Sequence, residues 1–316
     1  MNRILRIGTR DSQLALWQAT TVEQLLKGAG YATELVAMKS EGDIDTVTPL
    51  YELGVQGVFT KTLDAALLNN RIDIAVHSMK DMPTRLARGI RQAAVLTRAS
   101  YKDILVYKGD RKNVEEALDK DSDSTELPFT VATSSIRRMA QWLHRYPHHQ
   151  IENLRGNVNT RLRKVAESNW NGAIFAAAGL ERIHLRPEAS IDLDWMLPAP
   201  SQGAIIIVCR EEDGESFEAC QGFNDEATAL CTGIEKDFLR VLMGGCSTPI
   251  SALAEVKGDQ VYFRGSICST DGLQMIEVAR EVEVGQSQNL GVEMAHQLLQ
   301  NEEAQHIINT IRNGKN

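Results

Sequence analysis

FTVATSSIRRMAQWLHRYPHHQIENLRGNVNTRLRKVAESNWNGAIFA, residues 129–176, is the stretch that decides the fold class. Short apolar or β-branched runs at Phe129–Ala132, Gln150–Leu154 and Ala173–Ala176 alternate with helical patterns over Ser135–Arg145 and Val158–Ser168. Strands alternating with helices of this length predict βαβ units: a parallel sheet with helices on both faces, and ligands met at the loops after the strand carboxyl ends.

Upstream, the same rhythm appears. Leu5–Gly8 reads as a strand, and Leu14, Leu16, Trp17, Val22, Leu25 and Leu26 recur at near-helical spacing until Gly28 and Gly30. A strand over Glu34–Met38, a polar loop through Gly42 and Asp43 to Pro49, a helix with Leu63, Ala66 and Leu67 on one face, and a buried strand Ile72–His77 follow. The pattern restarts across Arg98–Val106, and Asp119–Glu126 reads as a surface loop. Downstream, this second unit closes near Pro198 and Pro200, and the apolar run Ala204–Val208 is a strand returning to the first unit. After Phe223 the rhythm changes to a helix over Thr228–Leu242, alternating strands Ser251–Val256, Gln260–Ser269 and Met275–Val284, and a final helix Leu290–Arg312. The expected division is 1–98 with 202–220, an inserted α/β domain 99–201, and a small α+β domain 221–316 with a three-stranded antiparallel sheet.

Composition excludes several classes. A net charge of -8 argues against generic nucleic-acid binding, which favours a basic excess. No apolar run reaches the ~18 residues of a membrane span, and the start has no apolar export segment, so no membrane partner and a cytoplasmic protein are expected. Five cysteines, Cys209, Cys220, Cys231, Cys246 and Cys268, are an odd set without a C-x-x-C pair, against both a disulfide framework and structural zinc.

The chemistry-bearing residues gather where strands hand over to helices. Arg10 and Ser12 follow the first strand, at a helix start that suits an anion, although Ser12 also reads as an N-cap. Thr133, Ser134, Ser135, Arg137 and Arg138 repeat the device, and Arg155, Arg161 and Arg182 follow later strands. Any one of these arginines also reads as a solvated surface charge. Together, in an acidic protein, they look built for a ligand with several carboxylates or phosphates. Asp81, beside Lys80, suits stabilising a developing positive charge or moving a proton, and also reads as a turn cap before Pro83. His77 reads as a packed strand residue, and His144, His148 and His149 as a solvated helix end. Cys246 follows Gly244 and Gly245, a setting that exposes a thiol to an electrophile.

In order along the chain, IGTRDSQLALWQA (7–19), DIAVHSMKDMP (73–83), ATSSIRR (132–138), LRGNVNTRL (154–162), AAGLER (177–182), LPAPSQGA (197–204) and GGCSTPI (244–250) resemble the porphobilinogen deaminase family. The resemblance implies two doubly wound, periplasmic-binding-protein-like α/β domains with a cleft between them, plus the third domain. It implies a monomeric transferase of tetrapyrrole, porphyrin and haem biosynthesis that joins four porphobilinogen units head to tail and releases hydroxymethylbilane by hydrolysis. The primer is a dipyrromethane cofactor in thioether linkage to Cys246. Asp81 matches the catalytic aspartate. Arg10, Ser12, Ser78, Lys80, Thr133, Ser134, Ser135, Arg137, Arg138, Arg155, Gly156, Asn157, Arg161, Arg182 and Gln202 match cofactor and substrate contacts, and no metal is implied.

Departures from the pattern are Gln56 and Glu52, where lysines occur in a lid loop, Ser201 and Asn159 for glycines, and Met243 for an acidic residue. Two rivals stay open: a non-catalytic carboxylate-binding two-lobed module, and a cysteine-nucleophile hydrolase using Cys246.

Overall fold

A computed structural model describes residues 3–40, 60–119, 129–242 and 248–313. The polar loop 42–49, most of 119–126, Glu52, Gln56, Met243 and Cys246 lie outside the described residues. The chain runs β1 (Ile4–Arg10), α1 (Gln13–Gly28), β2 (Ala32–Met38), α2 (Lys61–Leu68), β3 (Ile74–Ser78), a 3-10 turn Met79–Asp81 and β4 (Ile90–Val95). Next come β5 (Asp103–Tyr107), α3 (Arg111–Ala117), β6 (Thr130–Ala132), α4 (Ile136–Arg145), β7 (Gln150–Glu152), α5 (Val158–Glu167), β8 (Gly172–Ala176), α6 (Ala177–Glu181) and β9 (Ser190–Asp192). The last part is β10 (Ile205–Arg210), α7 (Gly214–Gln221), α8 (Glu226–Val241), β11 (Ile250–Lys257), β12 (Gln260–Cys268), β13 (Met275–Glu283), α9 (Leu290–Leu298) and α10 (Glu302–Asn313).

Two five-stranded sheets, ordered β2-β1-β3-β10-β4 and β7-β6-β8-β5-β9, stand beside a three-stranded antiparallel sheet β11-β12-β13. Both larger sheets are covered on two faces. In the first, Leu5, Ile7, Ile74 and Val76 pack with Ala19, Val22 and Leu26 of α1, while Ala75, Ile206 and Val208 pack with Leu63, Ala66 and Leu67 of α2. In the second, Val131 and Ile174 meet Trp142 of α4, and Ala132 and Phe175 meet Val165 of α5. Two-sided burial explains why the inner strands β3, β8 and β10 read as largely apolar runs, β10 being buried at every position.

The α/β expectation holds, but the sheets are mixed rather than parallel. β1, β2 and β3 run parallel, as do β6, β7 and β8, while β10 runs against β3 and β4, and β5 against β8 and β9. The cause lies in the crossings. β10 begins opposite Ser78, the end of β3, and β5 begins opposite Ala176, the end of β8. Each strand arriving from the other sheet enters at a carboxyl edge and must run back against its neighbour. Both connecting segments therefore lie where the sequence places its charged residues.

The final helix is broken in two: Asn301 Oδ1 accepts from Ala304 N at 3.1 Å and starts α10 afresh. The third unit's core joins Phe238 of α8, Phe263 of β12 and Met294 of α9.

Candidate active site

β3 delivers Ser78 and, in the turn after it, Lys80 and Asp81 to the carboxyl edge of the first sheet. Arg10, Ser12, Gln18, His77, Ser78 and Asp81 line one pocket there. Gln18 Nε2 donates to Ser78 Oγ at 2.8 Å and ties α1 to β3. Ser12 does both things proposed for it: its side chain caps α1 by accepting from Ala15 N at 3.4 Å, and it lines the pocket.

The facing wall comes from the second sheet. Thr133 and Ser134 are buried and Ser135 half-buried before α4, with Ser135 N donating to Thr133 Oγ1 at 3.2 Å. Arg137 and Arg138 are not solvated charges; they are 4% and 5% exposed. Both converge on Asp103, at the start of β5, which the sequence reading missed. Arg137 Nη2 donates to Oδ2 at 2.7 Å, and Arg138 Nε and Nη2 donate to Oδ1 at 3.1 and 2.7 Å. Their remaining Nη1 groups donate to Leu197 O and Ile174 O. Burial alone would push the Asp103 carboxyl up, but Arg137, Arg138 and the hydrogen bond from Gln202 outweigh it and hold it well below the usual carboxylate range.

Arg155 is buried at the end of the segment after β7. Gly156 follows at φ +114, where a Cβ would sit 2.8 Å from Thr160 Cγ2, and Asn157 caps α5 by accepting from Thr160 N at 2.9 Å. Arg161 folds back from α5 and donates Nε to Gly156 O at 2.7 Å. Asn159, one of the departures, reaches across to α1: its Nδ2 donates to Gln13 Oε1 at 2.8 Å.

Gln202 spans the floor between the sheets. Its Nε2 donates to Asp103 Oδ1 at 2.9 Å and to Tyr101 O at 2.7 Å, and its Oε1 accepts from Lys80 Nζ at 3.3 Å. The next residue, Gly203, has φ +88, and a Cβ there would lie 2.7 Å from Ala99 O and Ser100 O. Ser201 takes φ +65, which explains why glycine is usual at this position. Its N donates to Glu235 Oε2 at 2.6 Å. Glu235, fully buried on α8, also accepts from Arg98 Nη1 and Nη2 at 2.6 and 3.1 Å and from Ala254 N at 2.8 Å. Arg182 donates Nη2 to Gly203 O at 2.7 Å, with its guanidinium 5.8 Å from the Trp17 ring centroid.

Cationic groups crowd one another in this cleft. Burial first, then Arg138, pushes the Lys80 ammonium down to about 8 against the pull of Asp81 and Asp103. Burial, Arg138 and Arg155 push Arg161 down to about 10, with Asp81 opposing. Asp103 is engaged by two guanidinium groups and an amide, and Asp81 stands within electrostatic reach of Lys80 and Arg161. Outside the cleft, His149 departs from the solvated reading: it stacks on Tyr146 at 4.8 Å and accepts from Trp142 Nε1 at 3.2 Å. Cys209, Cys220, Cys231 and Cys268 are buried, and desolvation raises each thiol, Cys220 and Cys268 to about 12.

A family profile described as "Porphobilinogen deaminase, dipyromethane cofactor binding domain" matches residues 5–218, and "Porphobilinogen deaminase, C-terminal domain" matches 229–300. Curated relatives include a porphobilinogen deaminase of Desulforamulus reducens, 40% identical over 305 residues, and one of Campylobacter hominis, 37% identical over 306 residues. Each alignment covers 95% of this chain and 95% of the relative. An ancestral cationic amino acid solute binding protein is a looser likeness: TM-score 0.42, 14% identity, 70% of this chain and 87% of that one. On the strength of the two profiles and these near full-length relatives, the chain belongs to the porphobilinogen deaminase family.

Proposed function

We propose that this chain deaminates porphobilinogen, couples four units head to tail onto a dipyrromethane group held in thioether linkage to Cys246, and releases hydroxymethylbilane by hydrolysis, for tetrapyrrole, porphyrin and haem synthesis. The observation that carries this reading is the gathering of Arg10, Lys80, Arg138, Arg155 and Arg161 within electrostatic reach of one another and of the Asp81 carboxylate. Dipyrromethane fits such a donor set, because its pyrroles bear acetate and propionate arms. Arg10, Arg155, Arg161, Lys80 and the hydroxyls of Ser12, Thr133, Ser134 and Ser135 would hold those arms by charge-assisted hydrogen bonds. Backbone N–H groups of Gly156 and Asn157 add donors at the α5 start. Arg137, Arg138 and Gln202 shape the floor through Asp103 and support the layer that touches ligand. Arg182 holds the crossing at Gly203.

When bound, the dipyrromethane group supplies an electron-rich pyrrole α-carbon as acceptor for the incoming unit. Asp81 acts on the porphobilinogen aminomethyl group. As the C–N bond breaks and ammonia leaves, a cation remains on the pyrrole methylene, and a fixed carboxylate in a partly desolvated cleft lowers its energy. The same carboxylate would accept the proton lost when the new carbon–carbon bond restores aromaticity. Cys246 is supported as the anchor by its glycine-flanked setting and by the burial of the other four cysteines.

The three-domain division 1–98 with 202–220, 99–201 and 221–316 belongs to this reading, as does a cytoplasmic monomer without nucleic-acid or membrane partners. Among the described residues no helix is long and apolar enough to cross a membrane. Denaturing mass spectrometry is the test. The purified protein should weigh more than its polypeptide by one dipyrrole, and porphobilinogen should add further pyrrole units. A bare polypeptide mass that porphobilinogen leaves unchanged would sink the proposal and favour the carboxylate-binding module.

A further inference from the structure

His77 is 4% exposed near the end of β3, and its Nε2 is buried without a hydrogen-bond partner in the structure. Buried polar atoms are nearly always partnered, so an orphan in a pocket wall marks a place where a ligand atom completes the set. That wall is shared with Arg10, Ser12, Ser78 and Asp81.

We propose that His77 touches the bound pyrrole, its Nε2–H donating a hydrogen bond to a carboxylate oxygen of the ligand. The inference rests on reading this cleft as the porphobilinogen site. Burial, and then the charge of Arg10, push the imidazole down to about 3, so His77 stays neutral and acts as a hydrogen-bond donor rather than a proton carrier. A neutral imidazole keeps one N–H, and the guanidinium group beside it attracts the carboxylate that N–H needs. A packed strand residue, by contrast, would tolerate an apolar side chain of similar size.

The test compares wild type with His77→Leu and His77→Gln, reading by mass spectrometry the porphobilinogen concentration that half-saturates the first covalent addition. A hydrogen bond to a charged group predicts a rise of about tenfold or more for Leu, most of it recovered by Gln. Histidine 15N NMR of the wild type, assigned with His77→Gln, should show Nε2 protonated and its resonance moving when porphobilinogen is added. His77→Leu saturating like wild type, an unprotonated Nε2, or a resonance unmoved by porphobilinogen would each overturn the contact. If His77→Leu does not fold, the wild-type spectrum decides. A wild type that takes up no porphobilinogen brings down the functional reading itself, an outcome separate from these.

Discussion

Arg138 places two nitrogens on a single oxygen of Asp103, Nε at 3.1 Å and Nη2 at 2.7 Å, beneath the cleft floor. Removing the carboxylate would leave two buried guanidinium groups uncompensated. Asp103→Ala should therefore lower stability by about 3–5 kcal/mol, measured by urea unfolding, and a wild-type midpoint would contradict the assignment. Asp103 has its folded-state pKa depressed. Its contribution is thus complete above the ordinary carboxylate range and is lost as pH falls through the depressed value, so the variant should show a flatter acid-unfolding profile.

Cys246→Ser should yield protein of bare polypeptide mass. Asp81→Ala should keep the dipyrrole mass while ammonia release slows by about 10²–10⁴-fold, the usual range for a lost acid–base or electrostatic group. Normal product formation by the Cys246 variant would contradict the anchor.

Lys80 should set an alkaline limit. Its ammonium is pushed down to about 8 in the cleft without cofactor, so protein lacking the dipyrrole loses a carboxylate-binding charge above that pH, and cofactor uptake read by mass spectrometry should decline there. Lys80→Arg should remove the decline. The stability change has the opposite sign: the burial penalty on the charged form is full below about 8 and is relieved as pH rises toward the unfolded value of ~10.4. Identical pH profiles of cofactor uptake for wild type and Lys80→Arg would exclude this role.

The crossing at 201–203 should discriminate sharply between substitutions. Ser201→Gly relieves a left-handed backbone at φ +65 but enlarges unfolded-state freedom, so thermal unfolding should place it within about 1 kcal/mol of wild type. Gly203→Ala meets two backbone oxygens at 2.7 Å as well as φ +88 and should cost more than about 1 kcal/mol. Equal melting temperatures for Gly203→Ala and wild type would show that the crossing yields.

The alternation around residues 129–176 was legible because Phe129–Ala132 and Ala173–Ala176 are short apolar runs and Asn157 caps the helix between them. Strand direction was not, since apolar runs look alike in parallel and antiparallel neighbours; β10 shows its direction only through pairing with Ser78. β4 escaped notice because Ile90–Val95 carries Arg91 and Gln92 within a short run. The break before α10 was readable: Asn301 followed by Glu302 and Glu303 is a helix-start signature. The arginines were read at strand-to-helix junctions, but sequence could not tell that Arg137 and Arg138 would turn onto Asp103. A single acid opening the apolar strand Asp103–Tyr107 was the available signal, because a carboxylate there must be buried and therefore paired.

Gln202 bonds Lys80 on one side and Asp103 on the other, so the two walls are joined along the cleft floor, away from their outer margins. Across those margins Asn159 and Gln13 share one exposed bond, worth about 1 kcal/mol or less, a clasp that thermal motion undoes readily. If the proposed oligomer grows one ring at a time, this arrangement would let it gain space as pages do in a book, by parting the covers while the binding holds.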